Sequence, residues 1–519
     1  MSLQRLSPMM LLPLLLSLTL TGCKDDSKAD DTDEATTPED TELTDLTDDT
    51  EATDDTGSTD DTDPGETGPL TVTVDVSDNP TLVLEKIISV TASSAAEVTL
   101  RCTLDGDPEE VHVLSSPSAA GHTLALRGLL PESSYDCVLS ADDGAAGLDE
   151  PVIVETSALP EGFPETHIAV TDGERRGYTL LYHSSGRATE SKDRLFILDD
   201  EARIRWYYDS VTGDPKDLDV QYIGDDRILY GGGYETPPTL IDLSHQLISV
   251  GPPPSTGLYH HHHAEWLPGG NILSLAAATN SSGLVDWTGF IVEIRDAESG
   301  ALSWSWDSQR GVDDGLLHSP VAGENGDEYH ANWVGVIGDD AYVGLRQIHQ
   351  LLRIDRETGD ILWRLGTNGD FQLLTDAGLP APEEQWFYGA HGPDLNGDRI
   401  LLYDNGWSRP GADSYSRVIE LAVDEEARTA QIVWEFERDG WYEPIWGDVD
   451  YHGDDRVIVT RGHCETCSES EGPSDILEVD RETREAVWEL VFGSPDDAIY
   501  RSERIDGCTL FSNQKYCAK

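Results

Sequence analysis

Short stretches in which apolar and polar residues alternate run through the chain from about residue 70 onwards, separated by turns rich in Gly, Asp and Asn. Residues 71–76 read Thr-Val-Thr-Val-Asp-Val, and the same period recurs at residues 97–102 and 122–126. A period of two residues is typical of strands that bury one face. The pattern therefore predicts an all-β fold.

Two short patterns alternate over residues 165–519. One is a strand pair around a turn that closes on Trp, clearest at residues 354–363, and the other is a Gly or Asp turn followed by an apolar strand, as at residues 395–401. Each pattern occurs in six copies. A small twisted sheet cannot bury both faces alone, whereas radial stacking gives it a neighbour on each side. The repeat therefore predicts a six-bladed β-propeller.

Residues 70–160 precede this repeat and carry a different pattern. Leu129, Pro131 and Tyr135 stand at the spacing Leu-x-Pro-x-x-x-Tyr, directly before an alternating strand. This spacing resembles that of fibronectin type III domains, in which the Tyr packs at a corner of the sandwich. We therefore expect a fibronectin III/Ig-like β-sandwich here, acting as a spacer or docking module.

The first residues predict export and a lipid anchor. An apolar run at residues 6–20 is too short to span a bilayer, and a Leu-Thr-Gly-Cys sequence follows it, ending at Cys23. This order is typical of bacterial lipoproteins, so we expect residues 1–22 to be a signal peptide and Cys23 to be lipidated. Acyl chains on one residue give a stable anchor outside the cytoplasm. Lys24 is not the Asp associated with inner-membrane retention, which favours the outer membrane.

Composition sets the next segment apart. Residues 23–69 are almost wholly Asp, Glu, Thr, Ser, Gly and Pro, which predicts a disordered acidic tether because little apolar surface is available for folding. The whole chain has a net charge of −66, from 100 acidic and 34 basic residues. Such a charge argues against a nucleic-acid partner, whose phosphates would be repelled.

Beyond Cys23 the chain has six cysteines, an even number that predicts disulfides in an exported protein. The first two fall together in the predicted sandwich, and the last two are candidates for closing a C-terminal loop. The middle two form a Cys-x-x-Cys, which also fits a zinc half-site or a redox motif, but no second pair at zinc spacing accompanies it. The six are Cys102, Cys137, Cys464, Cys467, Cys508 and Cys517.

Histidines precede the predicted inner strands of three successive repeats. They are His260–His263, His330 and His391, and Arg346 lies on a predicted inner strand soon after His330. Because the inner strands of a propeller converge on its axis, we expect these side chains to share one site. Convergent histidines suit a metal ion or acid–base and nucleophilic chemistry. An Arg in so acidic a chain indicates an anionic ligand.

Longer motifs around these residues resemble those of the bacterial arylsulfate sulfotransferase family. Residues 328–333 (Glu-Tyr-His-Ala-Asn-Trp), 344–346 (Gly-Leu-Arg) and 358–366 are similar to the family's central signature, and residues 401–406 are similar to its next segment. The similarity runs in order over about residues 200–500. It agrees with the sandwich-plus-propeller layout of the family.

The resemblance implies transfer of a sulfuryl group from a small aryl sulfate to a phenolic acceptor through a sulfohistidine, without a nucleotide donor, cofactor or metal ion. It implies that His391 is the nucleophile and that His330, Arg346 and His262 complete the catalytic set. The residues implied in substrate binding are Asn332, His263, Asn405 and Thr460.

The sequence departs from the family beside two of these histidines. Ala390 and Gly392 flank His391, and His263 stands where the family has Asp. The first-repeat residue is either His262, by the family pattern, or His263, by its distance from the inner strand. Two other functions remain open: a non-catalytic surface propeller that binds a ligand or partner protein, and a metal-dependent hydrolase or lyase.

Overall fold

The structure is a computed structural model. It describes residues 70–142, 146–147, 150–184, 193–209, 218–233, 236–279, 288–318, 329–411, 414–462, 474–494, 497–508 and 510–517. The predicted signal peptide and tether, with Cys23, and the Cys464–Cys467 pair lie outside these residues. Among the described residues, no helix has both the length and the apolar character needed to cross a membrane.

Strands make up most of the described chain, which confirms the all-β prediction. The residues that the structure describes form 32 strands, β1 to β32, and one short α-helix, α1 (Ser308–Asp313). Single turns of 3₁₀-helix occur at Glu383–Gln385 and Gln514–Tyr516. The site described below therefore rests on strands and on the turns that connect them.

The first sheet contains β1 (Val72–Asp78), β2 (Lys86–Leu104), β3 (Asp107–Leu126), β4 (Ser134–Ala141), β5 (Ala146–Gly147) and β6 (Val152–Glu155). The long strands β2 and β3 pair with each other, and β1 and β4 pair with opposite halves of β2. Cys102 and Cys137 face each other across β2 and β4 and form the expected disulfide. The backbone N–H of Leu130 donates to the Tyr135 hydroxyl at 2.8 Å, which ties down the turn before β4.

Six further sheets follow, here numbered I to VI. Sheet I contains β8 (Tyr178–Ser184), β9 (Arg194–Asp199), β10 (Ile204–Tyr208) and β32 (Ala498–Ile505). Sheet II contains β11 (Asp219–Gly224), β12 (Arg227–Gly231), β13 (Thr239–Asp242) and β14 (Leu247–Val250). Sheet III contains β15 (His260–Leu267), β16 (Asn271–Thr279), β17 (Thr288–Asp296) and β18 (Leu302–Asp307).

The remaining strands form the other three sheets. Sheet IV contains β19 (Ala331–Ile337), β20 (Asp340–Leu345), β21 (Gln350–Asp355) and β22 (Ile361–Gly366). Sheet V contains β23 (Gln372–Leu374), β24 (His391–Asn396), β25 (Arg399–Asp404), β26 (Arg417–Asp424) and β27 (Thr429–Phe436). Sheet VI contains β7 (Thr166–Thr171), β28 (Asp448–His452), β29 (Arg456–Arg461), β30 (Asp475–Asp480) and β31 (Ala486–Phe492).

Sheets I to VI form a closed ring. One inner strand from each sheet, in the order β32, β11, β15, β19, β24 and β28, contacts the inner strand of the next sheet, and β28 contacts β32 again. The buried apolar side chains cluster mainly between neighbouring sheets. Each sheet therefore buries its faces against its neighbours, and the six inner strands surround a common axis.

The Trp of the sequence repeat links neighbouring sheets. The indole N–H of Trp206 in sheet I donates to Leu243 O in sheet II, and that of Trp488 in sheet VI donates to Asp200 O in sheet I. Trp304 in sheet III makes the same kind of bond to Arg356 O in sheet IV. The repeat is visible in the sequence because these Trp residues fill inter-sheet spaces and bond a turn of the next sheet.

The first sheet packs on sheet I through buried ionic groups. Glu110 on β3 accepts hydrogen bonds from Arg205 at 2.7 and 3.0 Å and from Asn513 at 2.6 Å. Burial opposes ionisation of Glu110, but the His112 hydrogen bond and the Arg205 charge outweigh it, so the Glu110 pKa lies well below its usual range. The expected disulfide of the last two cysteines, Cys508–Cys517, also forms.

Candidate active site at the start of the inner strands

Four inner strands carry a β-bulge near their first residues. A bulge leaves residues unpaired in the ladder and changes the direction of their side chains. The register of pairing shifts between His260 and Ala264 on β15, Ala331 and Trp333 on β19, His391 and Asp394 on β24, and Ile499 and Ser502 on β32. The bulges therefore present a group of polar side chains at one end of the ring.

His262 and His330 form a pair across sheets III and IV. Their Nε2 atoms lie 2.9 Å apart, so one ring donates to the other, and the ring centroids are 4.6 Å apart. Both residues have a positive φ, of 60° and 48°. Such backbone strain in non-glycine residues is commonly found at functional sites. Burial, with His261 and His330 nearby, keeps the His262 pKa well below its usual value.

The hydrogen bonds of His391 determine its tautomer. Its Nδ1 lies 2.7 Å from Asn405 Oδ1. The Asn405 amide is oriented by its Nδ2, which donates to Glu443 O at 2.8 Å and to Trp446 O at 2.7 Å. Because Oδ1 is thus the acceptor, Nδ1 of His391 carries the hydrogen and Nε2 keeps its lone pair. The arrangement leaves His391 Nε2 as a nucleophilic or metal-binding atom.

His391 is a neutral imidazole in this setting. Burial lowers its pKa well below the usual value, and the positive charge of Arg346 lowers it further. Arg346 donates to Pro444 O at 2.8 Å, and its guanidinium lies 4.8 Å from the centre of the Trp407 ring. The site therefore combines an unprotonated imidazole with a buried cation, a combination suited to an anionic substrate.

Arg346 does not lie on an inner strand, so that prediction is wrong. It follows β20, the second strand of sheet IV. The β19–β20 hairpin brings it back beside the first residues of β19, where its backbone N–H donates to His330 O at 3.2 Å. The antiparallel connection, rather than the inner strand itself, places the charge at the site.

The structure distinguishes between the two alternatives for the first-repeat histidine. His262 lies beside His330 and contributes, with His391, to one electrostatic cluster. The ring of His263 points elsewhere: its Nδ1 lies 2.7 Å from Asp219 Oδ2 and contacts Arg501. Because the β15 bulge lies between His260 and Ala264, counting residues back from the strand does not predict which ring joins the cluster.

The other predicted substrate-binding residues differ in their surroundings. Asn332 is buried on β19, and its Nδ2 donates to Ala390 O at 2.8 Å, next to His391. The Thr460 hydroxyl lies 2.6 Å from that of Ser502, so its hydrogen bond links sheets VI and I. Asn405 orients His391 through the hydrogen bond with its Nδ1.

Tyr500 and Arg501 are two further site residues that the sequence analysis did not single out. The Tyr500 ring lies between the histidines, with its centroid 5.9 Å from that of His262 and 6.3 Å from that of His391. Arg501 donates to Asn332 O at 2.9 Å. A signal was present in the sequence, because Tyr500 precedes Ile505 by five residues just as His262 precedes Leu267.

An acidic cavity of about 340 Å³ lies further along the same strands, lined by all six of them. Its carboxyl groups belong to Asp219, Glu265, Asp394, Asp448, Asp450 and Glu503. Burial, with Asp219 nearby, raises the pKa of Glu265 to about 7 and that of Glu503 to about 8. Arg501 and His263 line this cavity, and the residues directly before them in the chain, Tyr500 and His262, belong to the histidine cluster.

One group of side chains among the described residues has the spacing of a metal site. His261, His262 and His330 each offer a ring nitrogen, and these nitrogens all lie within 4.8 Å of one another. His261 and His262 are buried, whereas His330 is partly exposed.

The fold and the site together define an all-β protein whose ring of sheets carries a buried centre of neutral histidines and arginines. Residues 168–501 match the family model of arylsulfotransferases (ASST), and the chain belongs to this family. Membership implies arylsulfotransferase activity. A search of curated protein sequences finds no match.

Several solved structures are similar at low identity. The β-propeller domain of Myceliophteria thermophila Cps50 (Swd1) is 10% identical, with a TM-score of 0.33 over 66% of this chain and 90% of that one. Saccharomyces cerevisiae Sqt1 is 9% identical, with a TM-score of 0.33 over 70% of this chain and 83% of that one. The periplasmic gluconolactonase PpgL of Pseudomonas aeruginosa is 12% identical, with a TM-score of 0.27 over 79% of this chain and 97% of that one.

Proposed function

We propose that this protein transfers a sulfuryl group from an aryl sulfate to a phenol through a sulfohistidine formed on His391, in a ping-pong reaction without a nucleotide donor. The observation that carries the proposal is the hydrogen bond that His391 Nδ1–H donates to Asn405 Oδ1, which leaves Nε2 with its lone pair. A neutral imidazole is a competent nucleophile at neutral pH.

In the first half-reaction, His391 Nε2 attacks the sulfur, and the bond between sulfur and the aryl oxygen breaks. The electron pair of that bond leaves with the aryl oxygen, which takes a proton from the His262–His330 pair while the pair carries one proton more than its neutral form. In the second half-reaction an acceptor phenol returns a proton to the pair and attacks the sulfur, and the bond between nitrogen and sulfur breaks. The protein is then regenerated, and the proton count balances.

Donor groups near His391 support the proposal because negative charge develops on the leaving and equatorial oxygens during sulfuryl transfer. Arg346 supplies a buried positive charge, and Asn332 supplies an amide beside Ala390. We propose that these two groups bind the sulfuryl oxygens. Trp407, under the Arg346 guanidinium, is placed to contact an aromatic ring.

The charge distribution supports one direction of substrate entry. The acidic cavity beyond His263 and Arg501 is lined mainly by carboxyl groups, which give an aryl sulfate no charge attraction whether they are protonated or ionised. Arg346 and Trp407 lie at the opposite end of the cluster, because Arg346 is beside the first residue of β19 whereas the cavity is lined by later ones. We propose that donor and acceptor both enter from the Arg346 side.

The proposal extends to the architecture and the compartment. The six sheets are proposed to be the blades of a six-bladed propeller, and the first sheet a fibronectin III/Ig-like domain, supported by the Leu130–Tyr135 hydrogen bond. The protein is proposed to act outside the cytoplasm, anchored by lipidated Cys23, since two disulfides suit an oxidising compartment.

Purified protein with p-nitrophenyl sulfate and a phenol acceptor tests the activity. We expect release of p-nitrophenol and formation of the sulfated acceptor, and a mass increase of one sulfuryl group on the peptide that contains His391 when the acceptor is left out. His391→Ala should lose both, whereas His452→Ala, at an exposed histidine, should keep both. Turnover by His391→Ala, or a wild-type protein with neither turnover nor sulfohistidine, would contradict the proposal.

A further inference from the structure

The three histidines His261, His262 and His330 form a compact nitrogen cluster at the edge of the proposed reaction centre. One ring nitrogen from each lies within 4.8 Å of the other two. The ring centroid of His261 lies 4.0 Å from that of His262 and 5.4 Å from that of His330. Proposed sulfuryl transfer uses His262 and His330 but has no role for His261.

The orientation of His261 suits a metal ligand. Its Nδ1 lies 2.8 Å from Ala331 O, a carbonyl that can only accept, so Nδ1 carries the hydrogen and Nε2 keeps its lone pair. Metal-binding histidines almost always donate their other ring nitrogen to a carbonyl or carboxylate in this way, which fixes the tautomer and the ring.

The pair His262–His330 supplies two further nitrogens. A single hydrogen lies between their Nε2 atoms, which are 2.9 Å apart. If that hydrogen moves to Nδ1 of the same ring and the two rings turn apart, both Nε2 lone pairs can point at one ion at the nitrogen–zinc distance of about 2.0–2.1 Å.

We propose that His261, His262 and His330 bind one Zn²⁺ or a similar divalent transition-metal ion, and that this ion reversibly blocks sulfuryl transfer. Three imidazoles are an established ligand set for such ions, and imidazole suits Zn²⁺, Cu²⁺ and Ni²⁺ more than Mg²⁺ or Ca²⁺. The block follows because the ion occupies the nitrogens that exchange the substrate proton. The block rests on the proposed function, whereas the binding does not.

Metal binding is tested on the untagged full chain after treatment with a chelator. Titration with Zn²⁺ in a calorimeter should give one site for each chain, and X-ray absorption should show nitrogen ligands at about 2.0–2.1 Å rather than the sulfur distance of about 2.3 Å. His261→Ala should bind Zn²⁺ at least tenfold more weakly, with His452→Ala as the matched control. Sulfur ligation, no binding, or equal binding by His261→Ala would overturn the site.

Activity assays test the block separately. Chelator-treated wild type and His261→Ala should both turn over, and Zn²⁺ should inhibit the wild type but not the variant. Co²⁺ provides a second readout that does not depend on activity, because its visible absorption reports the tetrahedral geometry expected of the site. Turnover that is lost with the chelator and restored by Zn²⁺ would contradict the inhibitory role and the metal-free mechanism, while the binding result would stand.

Discussion

Asn405 determines how His391 can react, although it contacts the proposed substrate only through that ring. Its amide is held by two backbone carbonyls, Glu443 O and Trp446 O, which leaves only Oδ1 to face His391 Nδ1. The same logic governs triads in which a carboxylate holds a catalytic histidine in one tautomer. Here a neutral amide takes that part, so the imidazole gains orientation without a neighbouring negative charge.

Replacing Asn405 by Ala removes the acceptor that fixes the tautomer. We expect kcat to fall by about two orders of magnitude or more, with little change in KM, because a misoriented imidazole no longer presents Nε2. Asn396→Ala, at an exposed asparagine of the same strand that begins at His391, should leave kcat unchanged. A loss of kcat that is equal in the two variants, or absent from both, would contradict this role.

The low pKa of His391 predicts the pH dependence of the donor half-reaction. Burial and Arg346 keep the pKa below its usual value of 6.5, so the ring stays unprotonated as the pH falls through 6.5. The acid limb of kcat/KM for p-nitrophenyl sulfate should therefore lie below pH 6.5, and Arg346→Met should move it upwards while lowering the rate. Stopped-flow measurement of p-nitrophenol release gives the rate and the position of the acid limb for both proteins. An acid limb of the wild type at or above pH 6.5 would contradict the lowered pKa of His391.

The hairpins and bulges of the ring explain which residues meet. A bulge at the start of β15 turns His262 and His263 towards different neighbours, although they are adjacent in the chain. The β19–β20 hairpin returns Arg346 to the level of His330. Alternation along a strand predicts only which of the two faces of the sheet a side chain lies on. The direction of a side chain within a bulge depends on the local register, so the alternation does not predict it.

Trp488 shows how one element of the repeat stabilises the ring. It is fully buried between sheets VI and I, and its indole N–H donates to Asp200 O. Trp488→Phe keeps most of the apolar contact and should lower the free energy of unfolding by about 1 kcal/mol, whereas Trp488→Ala should lower it by about 3–5 kcal/mol. Urea denaturation monitored by circular dichroism measures both values.

A useful comparison is Trp304→Ala, because Trp304 bonds Arg356 O in the same manner but is only partly buried. Trp304→Ala should lower the free energy of unfolding clearly less than Trp488→Ala does. Equal costs for the two alanine variants would show that burial between the sheets is not what Trp488 contributes.

At the scale of the whole molecule, the ring brings together carboxyl groups that are distant in sequence. Glu503 on β32 is enclosed with Asp219 of sheet II and with carboxyl groups of sheets III, V and VI, and its pKa rises to about 8. Between its ordinary pKa of 4.5 and about 8, Glu503 is protonated when folded and ionised when unfolded. The folded state binds the extra proton, so this group lowers the stability progressively as the pH rises through that window.

Glu503→Gln should remove this destabilisation, because Gln cannot ionise and can still accept the hydrogen bond from Tyr222 N. We expect the variant to match the wild type near pH 4 and to exceed it by on the order of 1–2 kcal/mol near pH 9. Thermal unfolding at several pH values tests this, with exposed Glu482→Gln as the control. A constant difference at every pH would count against the titration.

The class of the fold and the candidate histidines could be predicted from the sequence by itself. Alternation with period two shows which face of a strand is buried, and the recurring Trp marks the strand that packs against the next sheet. Both depend on residues that are close together in the chain, so the sequence alone reveals them. The resemblance to arylsulfotransferases rests on motifs of the same local kind, and the family match over residues 168–501 confirms it.

Only the tertiary structure decided which of these residues meet. The pairing of His262 with His330, the place of Tyr500 between the histidines and the enclosed carboxyl groups join different sheets. The Asn405 contact that sets the His391 tautomer joins the two ends of the β24–β25 hairpin. The contacts between sheets depend on closure of the ring, and the bulges shift the register locally. Contacts of this kind are set by packing between distant segments, which the order of residues along one strand does not encode.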